Sequence, residues 1–179
     1  NEDAGAQVVS LSGITSGSVS EIQTLTVTAV SSDPALIPNP TVSYTSPSVN
    51  GSLSFAPVAN ASGTATVTVT VNDGQAVNNV VRQTFTVTVD AINDAPTLNA
   101  LNNLTLAENA AQQSLSLTGV GTGAANETQT LTVTATSSNP SLIPNPTVNY
   151  TSPNTSGSLI FTPVVNANGT ATITVTVND

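Results

Sequence analysis

The constraint that most limits this chain is an internal repeat. Glu21 to Asp73 aligns without a gap on Glu127 to Asp179, and 40 of the 53 positions are identical at an offset of 106. Two copies in step mean one supersecondary unit built twice, so the fold must be legible in a single unit. The same offset pairs Leu11–Gly17 with Leu117–Gly123, and Glu2 with Glu108. The ends are out of phase with the repeat: the 33-residue block Gly74–Leu106 occurs once. That pattern reads as a window from a longer array, or as a subunit that completes its fold with a neighbour's strand.

Within a unit the periodicity is two. TLTVTA (Thr24 to Ala29), TATVTVTV (Thr64 to Val71) and TFTVTV (Thr84 to Val89) place Thr on one face and Val, Leu or Phe on the other, as a half-buried strand requires. In second-copy numbering, strands are expected near Asn103–Leu106, Gln113–Thr118, Thr130–Thr136, Thr147–Thr151, Ser158–Thr162 and Thr170–Val177; a seventh, Val80–Val89, occurs only in the first copy. The expected inward set is Leu25, Val27, Val42, Tyr44, Leu53, Phe55, Val67, Val69, Val71, Phe85, Val87 and their counterparts. Turns rich in Gly, Pro, Asn and Ser separate these runs, notably IPNP, SPNTSG and VNDG. About seven short strands in about 100 residues predict an all-β chain of two tandem Greek-key sandwiches of immunoglobulin type forming a rod. The boundaries are 1–92 for repeat 1 with its first strand truncated, 93–97 for an acidic linker, and 98–179 for repeat 2 with its last strand missing.

Composition narrows the function. Ser, Thr and Asn make up 71 of 179 residues, against one basic side chain, Arg82, and ten acidic ones. A net charge of -9 disfavours nucleic acid, whose phosphates demand clustered Lys and Arg, and disfavours an anionic membrane surface. No apolar run exceeds three residues, so no membrane insertion is expected in this segment. The absence of Cys, His and Lys removes the usual thiol nucleophile, general base, zinc ligands and Schiff-base amine. An enzyme is therefore not expected. Arg82 lies on the outward parity of its strand. Seven N-x-S/T sequons (Asn50, Asn60, Asn103, Asn126, Asn149, Asn154 and Asn168) are what an Asn-, Ser- and Thr-rich chain generates by chance.

The acids can be placed by counting strands, because successive strands alternate direction and their turns alternate poles. Glu2 should then lie at the trailing end of the first unit beside Asp90 and Asp94, and Glu127 and Asp179 at the leading end of the second. Six residues, Glu2, Asp90, Asn93, Asp94, Glu127 and Asp179, are the candidate metal ligands of a central joint. Glu21, Asp73 and Glu108 are their repeat equivalents at outer joints. Asp33 falls elsewhere. Clustered carboxylates repel one another unless a cation sits among them, and carboxylates with Asn93 and Asn178 amides are hard oxygen ligands of the kind Ca²⁺ takes. The alternative reading is turn chemistry: Asn-Asp and Asp-Gly form turns, and Pro96 restricts Ala95, without any metal.

The segment DAINDAP, Asp90 to Pro96, resembles the DxNDNxP linker of cadherins and, more closely, the VNDAPT joints of bacterial cadherin-like and immunoglobulin-like repeats in large surface proteins. AEN (Ala107 to Asn109) is similar to the cadherin PEN turn, and VNDG (Val71 to Gly74) to its sixth-strand Asp-Gly. The resemblance implies calcium bridging the joint through Glu2, Asp90, Asn93, Asp94 and Asp179; Glu127 rests on the pole argument. The family's DxD turn is replaced by GTG (Gly121 to Gly123) and the linker is one Asn short, which implies one or two ions and not three. Extracellular localisation on a bacterial cell surface follows from the same resemblance.

Two function classes remain. In the first the repeats are structural spacers of a stalk, adhesin or filament, partnered by neighbouring repeats or copies of the same chain. In the second they are adhesive modules that grip a surface polysaccharide or protein. Thirteen differences scattered over 53 positions leave no specialised loop in either copy, which favours the spacer.

Overall fold

A computed structural model describes residues 1–18, 20–77 and 79–179. Among them every regular element is a β-strand, all sheets are antiparallel, and none closes into a barrel. Among the described residues no helix is long and apolar enough to cross a membrane. The chain divides into two units, Asn1–Ile92 and Asn93–Asp179.

Unit 1 holds β1 (Gln7–Ser12), β2 (Thr26–Ser31), β3 (Thr41–Ser43), β4 (Asn50–Phe55), β5 (Gly63–Asn72) and β6 (Val80–Val89). They form two sheets in the orders β1-β4-β3 and β2-β5-β6. Alternation aims one face of each sheet at the other. Leu53 of β4 and Val67 of β5 are fully buried together with Ala29 of β2, and Val9, Val42, Phe85 and Val87 close around them. The core is thus built from the apolar parity of both sheets, and the whole expected inward set of this unit is buried or half-buried. Arg82 is exposed.

Two core residues come from a loop that periodicity does not flag. Asp33 accepts the N–H of Ala35 on Oδ1 at 3.1 Å, and its carbonyl accepts the N–H of Leu36 and of Ile37 at 3.2 and 2.9 Å. This turn drops Leu36 and Ile37 into the core beside Phe55, Ala65 and Val89. Asn39 of the IPNP run then accepts the Ser31 N–H at 2.9 Å. In unit 2 Asn139 heads the same turn, its carbonyl accepting from Leu142 and Ile143 at 3.0 Å each, while Asn145 accepts from Ser137 at 2.8 Å.

Unit 2 holds β7 (Gln113–Thr118), β8 (Thr132–Ser137), β9 (Thr147–Asn149), β10 (Ser156–Phe161) and β11 (Ile173–Asn178). Its sheets are β7-β10-β9 and β11-β8. Leu117, Val120, Leu131 and Leu159 form its core, with Leu98 and Leu101 packed against them. The strand expected at Asn103–Leu106 is not formed. Residues 103–105 are all exposed, so the segment lacks the half-buried alternation that would seat it on a sheet.

A second departure is at the start of β11, which was expected at Thr170. In unit 1 the ten-residue β5 is held from both sides over part of its length only. Val67–Asn72 pair with β2, but Gly63–Thr66 pair with β6 alone. Among the described residues no strand beyond β8 pairs with β11, and the identical tetrapeptide Gly169–Thr172 is not a strand. The partner, not the local sequence, decides the conformation.

Two substitutions should separate packing from charge in urea unfolding. Leu53→Ala should lose about 2–5 kcal/mol through the cavity left at a fully buried site. Asp33→Asn should change stability by less than about 0.5 kcal/mol, since Asn139 already makes that turn.

Candidate cation site

In unit 1 the relevant acid is Glu2, only 3% exposed. β6 ends at Val89, and the chain beyond it folds onto Glu2: the Glu2 N–H donates to the Asp90 carbonyl at 2.9 Å, and the Ile92 N–H donates to Glu2 Oε1 at 2.8 Å. Glu2 thus fastens the segment that follows the last strand. The Asp90 side chain is exposed. The neighbouring Asp3 adopts a left-handed φ of 58° and accepts the Asn60 N–H at 3.0 Å. Its equivalent Asn109, at φ 61°, accepts the Asn166 N–H at 2.8 Å.

The duplication therefore sorts the acids. At Asp3/Asn109 the copies exchange acid for amide and keep the side-chain acceptor bond; at Asp33/Asn139 they keep the backbone bonds of the turn, while Oδ1 accepts the Ala35 N–H in one copy and the Ser141 hydroxyl in the other, so neither position requires a charge. At Glu2/Glu108, Glu21/Glu127 and Asp73/Asp179 both copies keep the acid. All of these are candidate ligand positions.

In unit 2 the segment from Asn93 to Asn99 is laid along the turn after β7. Thr97 and Gly121 exchange backbone hydrogen bonds of 2.9 and 3.3 Å, and the Asn99 N–H donates to the Thr118 carbonyl at 2.9 Å. Gly123 explains the GTG sequence. Its φ is +107°, and a Cβ there would lie 2.5 Å from the Ala95 carbonyl oxygen and 2.8 Å from the Asp94 Cβ. Only glycine lets the Asp94–Ala95 backbone pass this close.

That docking gathers four polar side chains. The Asp94 N–H donates to Glu127 Oε1 at 2.6 Å, and Gln129 Nε2 donates to Asn93 Oδ1 at 2.7 Å and to Glu127 Oε1 at 3.3 Å. Asn93 Nδ2 in turn donates to Asp179 Oδ2 at 2.7 Å. The sequence reasoning singled out Asn93, Asp94, Glu127 and Asp179, and these meet here; it missed Gln129. The signal was available in the E-x-Q spacing, since Glu21 and Gln23 recur as Glu127 and Gln129. Two buried oxygens of the group, Glu127 Oε2 and Gln129 Oε1, accept no hydrogen bond. Leaving such acceptors unsatisfied costs about 1–3 kcal/mol each, and a cation is one way to satisfy them.

The outer-joint positions are more open. Glu21 and Glu108 are exposed. Asp73 is engaged in its own turn, accepting the Gln75 N–H on Oδ1 at 2.9 Å, with Gly74 at φ 76°. Among the described residues no group of three or more His, Cys, Asp or Glu side chains is arranged to hold a metal ion. A cation at Asp94 and Glu127 would have to take its remaining oxygens from amides, carbonyls and water.

Gly123→Ala should destabilise unit 2 by about 1–3 kcal/mol through the left-handed φ and the contact with Ala95. Thr122→Ala, next to it, should cost much less. Denaturant midpoints of the two variants check this.

No protein-family model matches the chain, and no curated protein matches it. Two solved structures are similar over 85% of the chain. One is the S-layer protein rSbsC(31-844), at 21% identity and a TM-score of 0.36. The other is S-layer protein SbsC domains 4 and 5, at 22% identity and a TM-score of 0.38. The chain spans 18% of the first and 64% of the second.

Proposed function

We propose that this chain is a structural spacer of an extracellular surface protein, two immunoglobulin-like repeats in series whose connecting segment, Asp90 to Pro96, is fixed by calcium. The observation that carries the metal reading is the sorting of acids by the duplication, reinforced by the unsatisfied Glu127 and Gln129 oxygens. Turn chemistry alone would tolerate Asn at Glu127 and Asp179 as it does at Asn109 and Asn139.

The donor set sets the strength. Two carboxylates, Asp94 and Glu127, with Asp179 held through Asn93, are fewer charged ligands than a tight calcium site collects, and extracellular modules work at Kd of about 10⁻⁴–10⁻³ M. One ion of that affinity in unit 2 is the reading the residues fit. Glu2 serves unit 1 differently, holding the Asp90–Ile92 backbone directly.

The spacer role rests on the near-identity of the copies and on composition. Thr-rich outward faces, no Lys and a single Arg offer trypsin one site, which suits a long exposed stalk on a bacterial cell. Neighbouring repeats or copies of the chain are its natural partners.

The test is thermal unfolding with chelator and then with calcium. At about ten times Kd a ligand bound only to the native state adds about 1.4 kcal/mol, a rise of about 5–10 °C for a unit of this size. The rise should vanish in Glu127→Gln and survive in Asp33→Asn. Equal midpoints with and without calcium would leave only turn chemistry at these acids.

A further inference from the structure

One edge strand of each unit lies well inside the repeat, and the same two side chains hold its edge in both copies. β2 pairs with β5 on one side only. The Ser32 N–H continues that ladder by donating to the Thr66 carbonyl. By the alternation of antiparallel pairing, the N–H groups of Val27, Ala29 and Ser31 therefore point to the open side. Ser31 donates there to Asn39 Oδ1 at 2.9 Å, and Leu25, just before the strand, donates to Ser46 Oγ at 3.1 Å. Unit 2 repeats both bonds, Ser137 to Asn145 Oδ1 at 2.8 Å and Leu131 to Ser152 Oγ at 3.1 Å. Between the two caps the same segment forms β3, which pairs with β4 of the opposite sheet, as β9 does with β10. Each Asn stands between two prolines, Pro38 and Pro40 or Pro144 and Pro146. These hold its backbone extended and bring no N–H of their own to the edge.

We infer that this segment is an edge lock: Asn39 with Ser46, and Asn145 with Ser152, keep β2 and β8 from pairing with a strand of a second copy of the chain. An edge strand invites such pairing unless it is very short, charged, interrupted by Pro or covered. β2 (TVTAVS) and β8 (TVTATS) contain no charge and no Pro, and their outward Thr28 and Thr134 are exposed. The cover is what protects them. It takes up the donors at both ends, Leu25 and Ser31, and leaves only Val27 and Ala29 between, too short a run to seat a neighbour's strand. Every chain carries two such edges, so copies at high concentration would otherwise join through them. The lock goes beyond the spacer reading and needs no calcium.

The test removes the four caps in the full chain, Asn39→Ala, Ser46→Ala, Asn145→Ala and Ser152→Ala, and follows self-association by sedimentation over a concentration series. The variant should associate at least about tenfold more tightly than the unsubstituted chain. On association the amides of Val27, Ala29, Val133 and Ala135 should become protected from hydrogen exchange. Adding Thr28→Lys and Thr134→Lys should reverse both effects, because a charge on an edge strand opposes pairing. Ser46→Ala with Ser152→Ala opens one end of each edge and should shift association in the same direction even if the fourfold variant fails to fold. Folded variants that lose stability but associate no more than the unsubstituted chain would overturn the inference, since the caps would then be purely structural. Association that leaves those four amides exchanging freely would overturn it as well, because the contact would lie elsewhere.

Discussion

The antiparallel ladder between β5 and β6 is the interaction on which the rest of unit 1 depends. It contributes ten residue pairs, makes β5 four residues longer than its repeat twin, and sets Phe85, Val87 and Val89 in the core beside the apolar side chains of β2, β4 and β5. It also delivers the chain to Asp90, where the Glu2 backbone and carboxylate bind the outgoing segment. A strand's backbone groups must find partners, and where no described strand pairs with them, as at Gly169–Thr172, the same four residues are not a strand. The duplication thus contains its own control.

The same control separates charge from shape at the acids. An acceptor oxygen satisfies a turn whether it sits on a carboxylate or an amide, and Asp3 with Asn109 displays both, while Asp33 and Asn139 head the same backbone turn. Where the acid persists in both copies, a neutral acceptor has not replaced it. Glu2 is the clearest structural case: a buried carboxylate that accepts a backbone N–H of the segment it secures, a charge-assisted bond stronger than its neutral equivalent. Glu127 is different, because one oxygen is engaged by the Asp94 N–H and by Gln129 while the other is buried without a hydrogen-bond donor. Satisfied and unsatisfied acids mark different tasks within one fold.

Much of this was legible in the sequence because alternation of period two is a direct consequence of pleating. The inward residues expected on β2 to β6 and the range Val80–Val89 follow from that pattern alone. Leu36, Ile37, Leu142 and Ile143 were not legible as core because a turn, not a periodic element, buries them, and its signal is an Asx side chain bonding its own backbone. The segment Asn103–Leu106 misled because Leu104 and Leu106 imitate alternation, while nothing in the pattern tells whether a neighbouring edge is present. The late start of β11 has the same origin, since Thr64 and Thr170 lie in the same Gly-Thr-Ala-Thr tetrapeptide. At the candidate site Asp94, Glu127 and Asp179 could be placed by strand direction. Gln129 could not, because an amide two residues past a Glu carries no chemistry until its oxygen is found buried.

The most direct test of this account is native-state hydrogen exchange at the paired tripeptides Gly63–Ala65 and Gly169–Ala171, whose identical sequences give closely similar intrinsic chemistry. If strand pairing with β6 is what orders β5, the unit 1 amides that face β6 should exchange far more slowly than their unit 2 equivalents, by about a hundredfold or more for roughly 3 kcal/mol of local opening energy. Equal protection at the two sites would contradict it, because the fold would then be set by local sequence and the β6 ladder would be incidental.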